Sequence, residues 1–334
     1  MKIVITTGIF PPQIGGPAQY AKNIAEAFRA KGHRIVVLTY QLEKYLPTGI
    51  RHFLFFLRSV IGFVSADFII ALDTFSVGWP SVVAAKILGK KIVIRIGGDF
   101  LWEEYVERTG DLVLLRDFYT SGFSKLSLKE KLIFHITRST LERADYLAFS
   151  TDWQRKIWLS PYHLHEERTG IVENYYGEKV RGENPKEKNF LAFTRPLKWK
   201  NLTRLDDAFL RAKEKVPEII LDREMISYDE SIQKMKQCYA VILVSLGDIS
   251  PNMILDALRC NRPFILTRET GLYEKLKDVA LFVDPENEED ITEKILFLTK
   301  SENYELYRKK VEGFIFTHSW SEISHELLAI YENS

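Results

Sequence analysis

A chain of 334 residues is about twice the length of a typical single domain, and a hydrophobic content of 46% furnishes two cores rather than one. Its 46 basic and 45 acidic side chains nearly balance, so no global field draws nucleic acid or an anionic membrane, and any anion site must come from local groups. The two cysteines, Cys238 and Cys260, sit in apolar stretches and read as buried free thiols of a reducing compartment, which excludes a disulfide framework and points to the cytoplasm.

The opening apolar run IVITTGIF stops at Pro11-Pro12, too short for a signal-peptide core and placed like a first β-strand, so export is not expected. Short β-branched runs then alternate with amphipathic stretches. KIVIT is followed by a helix over Ala18 to Lys31, then RIVVLTY, ADFIIAL, a helix over Ser81 to Leu88, and KKIVIRI. This alternation predicts a parallel sheet with crossover helices, and the continuous apolar strands predict helices on both faces. FLFFLRSVIGFV, Phe53 to Val64, is 12 residues long, against the ~20 a bilayer span needs. It reads as a core helix covering the sheet, or, with the basic stretch KLSLKEKLIFHITR, as a peripheral membrane contact. Leu112 to Arg143 has helical periodicity; ADYLAFS and GIVEN are the last strands of a first domain.

Tyr175 to Asn189 is polar and carries Gly and Pro, as linkers do. The pattern then restarts: strand NFLAFT, helix Arg204 to Lys215, strand EIIL, helix Asp229 to Cys238, strand AVILVS, helix Met253 to Arg259, strand RPFILT, a helix near Gly271 to Leu276, and strand ALFV. Ser319 to Tyr331 reads as a closing amphipathic helix capped at Ser319 or Ser321. The expected division is 1–180 and 181–317, with 318–334 packing back on the first domain.

Several of these elements carry candidate chemistry. Gly15-Gly16 lets the backbone approach a ligand, and Pro17 suits the first turn of a helix whose amides favour an anion; an ordinary strand-to-helix loop explains the same residues. Neither this loop nor IRIGGDF supplies the G-x-G-x-x-G of a nicotinamide site, which disfavours an oxidoreductase. In TRPLKWKN, Arg195 and Lys200 lie five apart at a strand's carboxyl end, where open α/β sheets bind ligands and where a diphosphate wants both cations. In VILVSLGDISPNMILDALR, Asn252 is placed to cap a helix so that the amides of Met253 and Ile254 form an anion site. Asp256, one turn in, is placed to accept from a ribose diol; Asp248 precedes it by eight, and both can equally serve the helix dipole. Trp102, Trp153, Trp158 and Trp199 are sugar-stacking candidates or half-buried core. The seven histidines show no metal-ligand spacing.

Taken in order, these segments resemble glycosyltransferase family 4 and its relatives over nearly the whole length. TTGIFPPQIGGPAQYAKNIAEAFRAKGHRIVVLT is similar to the family's opening strand, glycine loop and helix; IVEN places Asn174 at the usual Asn; TRPLKWKN matches Arg, four residues, Lys; and LGDISPNMILDALRCNRP matches the segment with two glutamates separated by seven residues. The resemblance implies an α/β fold of two facing Rossmann-like parallel-sheet domains, the GT-B fold, with an interdomain cleft. It implies a retaining, metal-independent transfer of a hexose-like unit from a nucleotide-diphosphate sugar, acting as co-substrate with no cofactor, to an acceptor hydroxyl in glycan or lipid-linked form. Arg195 and Lys200 inherit the diphosphate. Asp248 and Asp256 stand for the two glutamates, each one methylene shorter, and Ser250-Pro251-Asn252 replaces the glycine-containing loop between them. Donor contacts are then expected from Gly16, Arg195, Lys200, Asp248, Ser250, Asn252, Met253, Ile254 and Asp256, and acceptor-side contacts from Gly15, Gly16 and Asn174. Where many relatives carry a His, this chain reads Gly97-Gly98-Asp99, so Asp99 joins Asp248 as a catalytic candidate. The lost His and shortened acids also prompt an alternative: a nucleotide-sugar-binding protein that has lost transfer.

Overall fold

The computed structural model describes residues 1–13, 15–40 and 42–333. Ile14 of the glycine loop and Ser334 of the expected 318–334 segment lie outside the described residues. In chain order the elements are β1 (Lys2–Thr7), α1 (Gly16–Ala30), β2 (Arg34–Thr39), α2 (Thr48–Phe63), β3 (Phe68–Ala71), α3 (Gly78–Ile87), β4 (Ile92–Ile96), α4 (Phe100–Thr109), α5 (Leu115–Asp117), α6 (Leu128–Arg143), β5 (Tyr146–Phe149), α7 (Asp152–Leu159) and β6 (Thr169–Ile171). There follow β7 (Lys188–Leu191), α8 (Leu202–Lys215), β8 (Ile219–Asp222), α9 (Tyr228–Met235), β9 (Ala240–Leu243), α10 (Asn252–Arg259), β10 (Phe264–Thr267), α11 (Tyr273–Leu276), β11 (Leu281–Val283), α12 (Glu288–Thr299), α13 (Ser301–Gly313) and α14 (Trp320–Asn333).

The chain divides into two compact units, each a Rossmann-like parallel sheet covered by helices. Unit 1 (residues 1–101, 126–175 and from 318 on) has strand order β2-β1-β3-β4-β5-β6. Its centre is solid: Ile3, Ile5, Phe68, Ile70 and Val93 are fully buried, because crossover helices cover both faces of strands that are apolar throughout. Unit 2 (102–125 and 176–317) has strand order β11-β10-β9-β7-β8. Two apolar clusters flank its sheet, one around Leu191, Val241 and Leu266, the other around Phe190, Ile242 and Ile265, as alternation along each strand requires.

All eleven strands read from the sequence are present. The helical stretch expected over 112–143 is broken: α5 runs into a wide turn over Phe118–Gly122, and α6 starts afresh at Ser127, whose hydroxyl and Glu130 carboxylate form a capping box. The polar stretch 175–189 is pinned rather than loose: Val180 N donates to Arg259 O at 2.8 Å, Glu183 N to Lys236 O at 2.8 Å, and its last two residues already belong to β7. Segment 102–125, read with the first domain, clusters with unit 2. α4, α7, α12 and α13 went unread. Of the two candidate caps for α14, Ser319 makes a capping box with Glu322.

Candidate functional site

In unit 2 the chain lays down β7, moves outward to β8, then returns to the far side of β7 for β9, β10 and β11. The direction of winding switches between β7 and β9, and the loops leaving their carboxyl ends border the crevice where open α/β sheets take ligands. The first of these loops holds Arg195 and Lys200, the second Asp248 and Ser250.

The β7 loop closes in a tight turn over Lys198–Lys200 and ends at Asn201, which adopts a left-handed conformation with φ 60°. Asn201 Nδ2 donates to Val244 O at 3.1 Å and Pro285 O at 2.7 Å, tying the turn to the ends of β9 and β11. This clamp places Lys200 Nζ 2.5 Å from Asp248 Oδ2, with side chains only 13% and 11% exposed, and 4.1 Å from the Trp199 ring centroid. Asp248 is held in turn: its N–H donates to Glu269 O at 2.8 Å, and Ser245 Oγ donates to its carboxylate at 3.3 Å. The two residues expected to meet the diphosphate and the sugar thus form one ion pair. Arg195 is exposed, with no side-chain partner among the described residues, so its guanidinium is available to an anion.

The β9 loop leads into α10. The expected Asn252 cap is replaced: Pro251 occupies the cap position without a side-chain hydrogen bond, and Asn252 is the first helical residue. Proline at 251 already supplies the extended entry geometry, so the side-chain cap is dispensable. Ile254 N donates to Pro251 O at 3.0 Å, which leaves the amides of Asn252 and Met253 as the orphan donors of the helix start. Ser250 Oγ is buried with no partner among the described residues. One turn on, Asp256 Oδ1 accepts from Tyr228 Oη at 3.0 Å, and Arg259 Nη1 lies 3.9 Å away. Burial pushes the Asp256 carboxyl up to about 6, against the pull of Tyr228 and Arg259. Tyr228 is the first residue of α9, so the starts of two helices, α9 and α10, meet here.

Unit 1 places its candidates differently. Gly15 caps α1 with φ 151°, a conformation that disfavours any side chain, and Gly16 opens the helix with Pro17 next. Asn174 Oδ1 accepts from the buried Arg95 Nη2 at 2.7 Å, and its main-chain oxygen meets His318 Nδ1 at 3.0 Å. Asp99 is 2% exposed and accepts from Trp158 Nε1 at 2.7 Å, so its carboxylate is spent on internal bonding rather than presented at the surface. Sequence pattern could not separate these outcomes, since burial of a short acid after a strand depends on the partner that α7 brings up. Trp102, Trp158 and Trp199 are all buried, which removes them as sugar-stacking surfaces. Three site features went unread: the Lys200–Asp248 pairing, the Tyr228–Asp256 bond, and buried Glu269, whose Oε1 pairs with Arg116 at 3.0 Å. The last two contacts join residues 28 and 153 apart in sequence, and no local signal encodes them. Among the described residues no group of three or more His, Cys, Asp or Glu is arranged to hold a metal ion.

No protein-family profile and no curated protein matches the chain. Solved structures do. Sucrose-phosphate synthase from Thermosynechococcus elongatus superimposes with a TM-score of 0.71 at 12% identity, covering 99% of this chain and 98% of that one. The fold is that of the GT-B glycosyltransferases. The Anabaena protein HepE, solved in complex with UDP, matches at TM-score 0.70 and 12% identity over 100% of both chains. WaaG, a glycosyltransferase involved in lipopolysaccharide biosynthesis, matches at 0.69 and 14%, covering 99% of this chain and 100% of that one. At such identities the shared property is the GT-B fold, two Rossmann-like units per chain.

Proposed function

We propose that the chain is a retaining, metal-independent glycosyltransferase that moves a hexose-like unit from a nucleotide-diphosphate sugar to an acceptor hydroxyl in glycan or glycolipid synthesis, in the cytoplasm. The observation that carries this reading is the Lys200–Asp248 ion pair at the unit 2 switch point, with Asp256, on the helix that the same β9 loop leads into, tethered by Tyr228. Lys200, Arg195 and the amides of Asn252 and Met253 neutralise the diphosphate as the glycosidic bond breaks, an electrostatic role aimed at charge that grows in the transition state. Asp248, sharing its carboxylate with Lys200, accepts from a donor hydroxyl; Asp256 accepts from the ribose. A uridine nucleotide is the first donor to try, because HepE was solved with UDP. The decisive test is calorimetric titration with UDP, GDP, ADP and TDP and their sugars. Binding of one nucleotide, lost in Lys200→Ala, supports the assignment; no binding by folded protein removes it.

The burial of Asp99 favours a second reading, a nucleotide-sugar-binding protein without transfer. Donor binding with no turnover over a broad acceptor panel would select it; transfer to any acceptor would dismiss it.

A peripheral membrane contact completes the proposal. α2 buries His52, Phe55, Ser59 and Phe63, and its other face exposes Ile50, Phe53, Leu57 and Ile61 at helical spacing, Ile61 at 77%. No acid lies on this helix, and since Arg58 is paired with Glu43 and Arg51 packs over the Tyr40 ring, the contact rests on the apolar stripe. No helix among the described residues is long and apolar enough to cross a membrane. Co-sedimentation with phosphatidylglycerol vesicles, lost in Ile61→Asp, supports this contact; no sedimentation at low salt, or self-association through the same face, rejects it.

A further inference from the structure

Segment 102–125 belongs to unit 2 although the chain on either side of it builds unit 1. It is internally bonded: Trp102 Nε1 donates to Val113 O at 2.9 Å, and the Asp111 carboxylate accepts from Tyr105 Oη and Lys125 Nζ, each at 2.7 Å. Its contacts with the rest of unit 2 fall on the loops that carry the candidate donor site. Glu107 Oε1 accepts from Lys198 N at 2.6 Å, and Glu107 O accepts from Lys198 Nζ at 2.6 Å. The Trp102 ring packs on Trp199 at 5.4 Å. Leu115 N donates to Leu246 O at 3.2 Å. Gly247 has no room for a side chain, since a Cβ there would lie 2.5 Å from Leu115 Cβ and 3.1 Å from the Trp102 ring. Arg116 pairs with Glu269, whose main-chain oxygen receives the Asp248 N–H.

Each of these contacts lies on a residue within two positions of Lys200 or Asp248, or on the strand-end residue that holds Asp248. A loop pair held by a few hydrogen bonds and one ion pair keeps alternative arrangements, and bracing from a third element reduces them before ligand arrives. We propose that segment 102–125 is a brace that fixes the Lys200–Asp248 pair for the donor diphosphate, with Glu107 and Arg116 as its positioning residues. This rests on the donor-site reading above. Glu107 and Arg116 touch no substrate in this scheme; they act by setting the loops that do.

The test uses the full chain and the variants Glu107→Ala, Glu107→Gln, Glu107→Met and Arg116→Ala, with two readouts. The first is calorimetric titration with UDP, GDP, ADP and TDP. Glu107→Ala is expected to weaken the nucleotide that the wild type binds by about tenfold, the size of one charge-assisted hydrogen bond, with Tm little changed. Glu107→Gln, whose amide oxygen still accepts from Lys198 N, should recover most of the loss, whereas Glu107→Met, of similar volume but without the acceptor, should not, a split that mere packing would not show. The second readout, amide exchange of the ligand-free protein, should show faster exchange at Leu246 and Asp248 in Glu107→Ala and Arg116→Ala. Arg116, 56% exposed, carries the comparison should Glu107→Ala prove unstable. Unchanged affinity together with unchanged exchange at these amides overturns the brace. A wild type that takes none of UDP, GDP, ADP and TDP defeats the donor-site reading, and exchange then decides the brace alone.

Discussion

Lys200 shows how neighbours fix one side chain. An ammonium on a surface loop has many positions, whereas Lys200, largely buried and held by Asp248, has one, and the proposed donor diphosphate is assigned to it. Lys200→Ala is therefore expected to lower kcat/KM for transfer at least about 100-fold, measured with the donor found by titration and with circular dichroism confirming the fold. Asp256 carries a pH signature. Its carboxyl, raised from an ordinary 3.8 to about 6, holds its proton more tightly folded than unfolded. Stability therefore falls as pH rises through that window, and the penalty is complete above it. The shift corresponds to roughly 3 kcal/mol at most, so Asp256→Asn should melt later than the wild type at pH 8 and converge with it near pH 4. In the same window nucleotide affinity should move the opposite way, weakening in the wild type as pH drops below about 6, because a protonated Asp256 loses acceptor strength toward a diol. Asp256→Asn should bind a nucleotide sugar, whose diphosphate carries no group titrating at about pH 6, weakly and with no such pH dependence, and calorimetry with that ligand across pH 5–8 would check both arms.

At the scale of elements, the decisive features are starts and stops. Helical periodicity over 112–143 was legible, yet it could not show that the Ser127–Glu130 capping box begins a new helix while the residues before it serve unit 2. Ser127→Ala should cost about 1 kcal/mol by urea denaturation, the ordinary value of a lost cap. Gly78, at the first turn of α3, meets a harder constraint. A Cβ there would sit 2.1 Å from Asp73 O, on a turn where the Asp73 carboxylate accepts from the amides of Phe75, Val77 and Gly78. Since the obstacle is backbone, Gly78→Ala should destabilise by about 2–3 kcal/mol or more, read from the same unfolding curves.

At the scale of the whole molecule, the last helix returns to the unit that the first residues begin. Ile323 and Leu327 of α14 are fully buried in the unit 1 core, Trp320 meets Tyr20 at 5.2 Å, and Tyr331 meets Phe68 at 4.7 Å. Leu327→Ala should cost about 2–4 kcal/mol and lower the unfolding temperature of unit 1 while leaving the exchange protection of β7, β9 and β10 intact. A nucleoside diphosphate that binds unit 2 should produce the converse pattern, raising protection there by mass action.

The sequence by itself determined the eleven strands, their division between two parallel sheets, the loops in which Arg195, Lys200 and Asp248 sit, and the helix that carries Asp256. These follow from local periodicity and from the rule that ligands gather at strand carboxyl ends, both of which act over a few residues. Tertiary structure alone decided that Lys200 pairs with Asp248, that Tyr228 engages Asp256, that Asp99 is buried against Trp158, and that segment 102–125 joins unit 2. Each of these depends on which side chains are brought together across loops or between distant segments, and on how much water that meeting excludes. Those quantities are set by packing, and a linear pattern does not contain them.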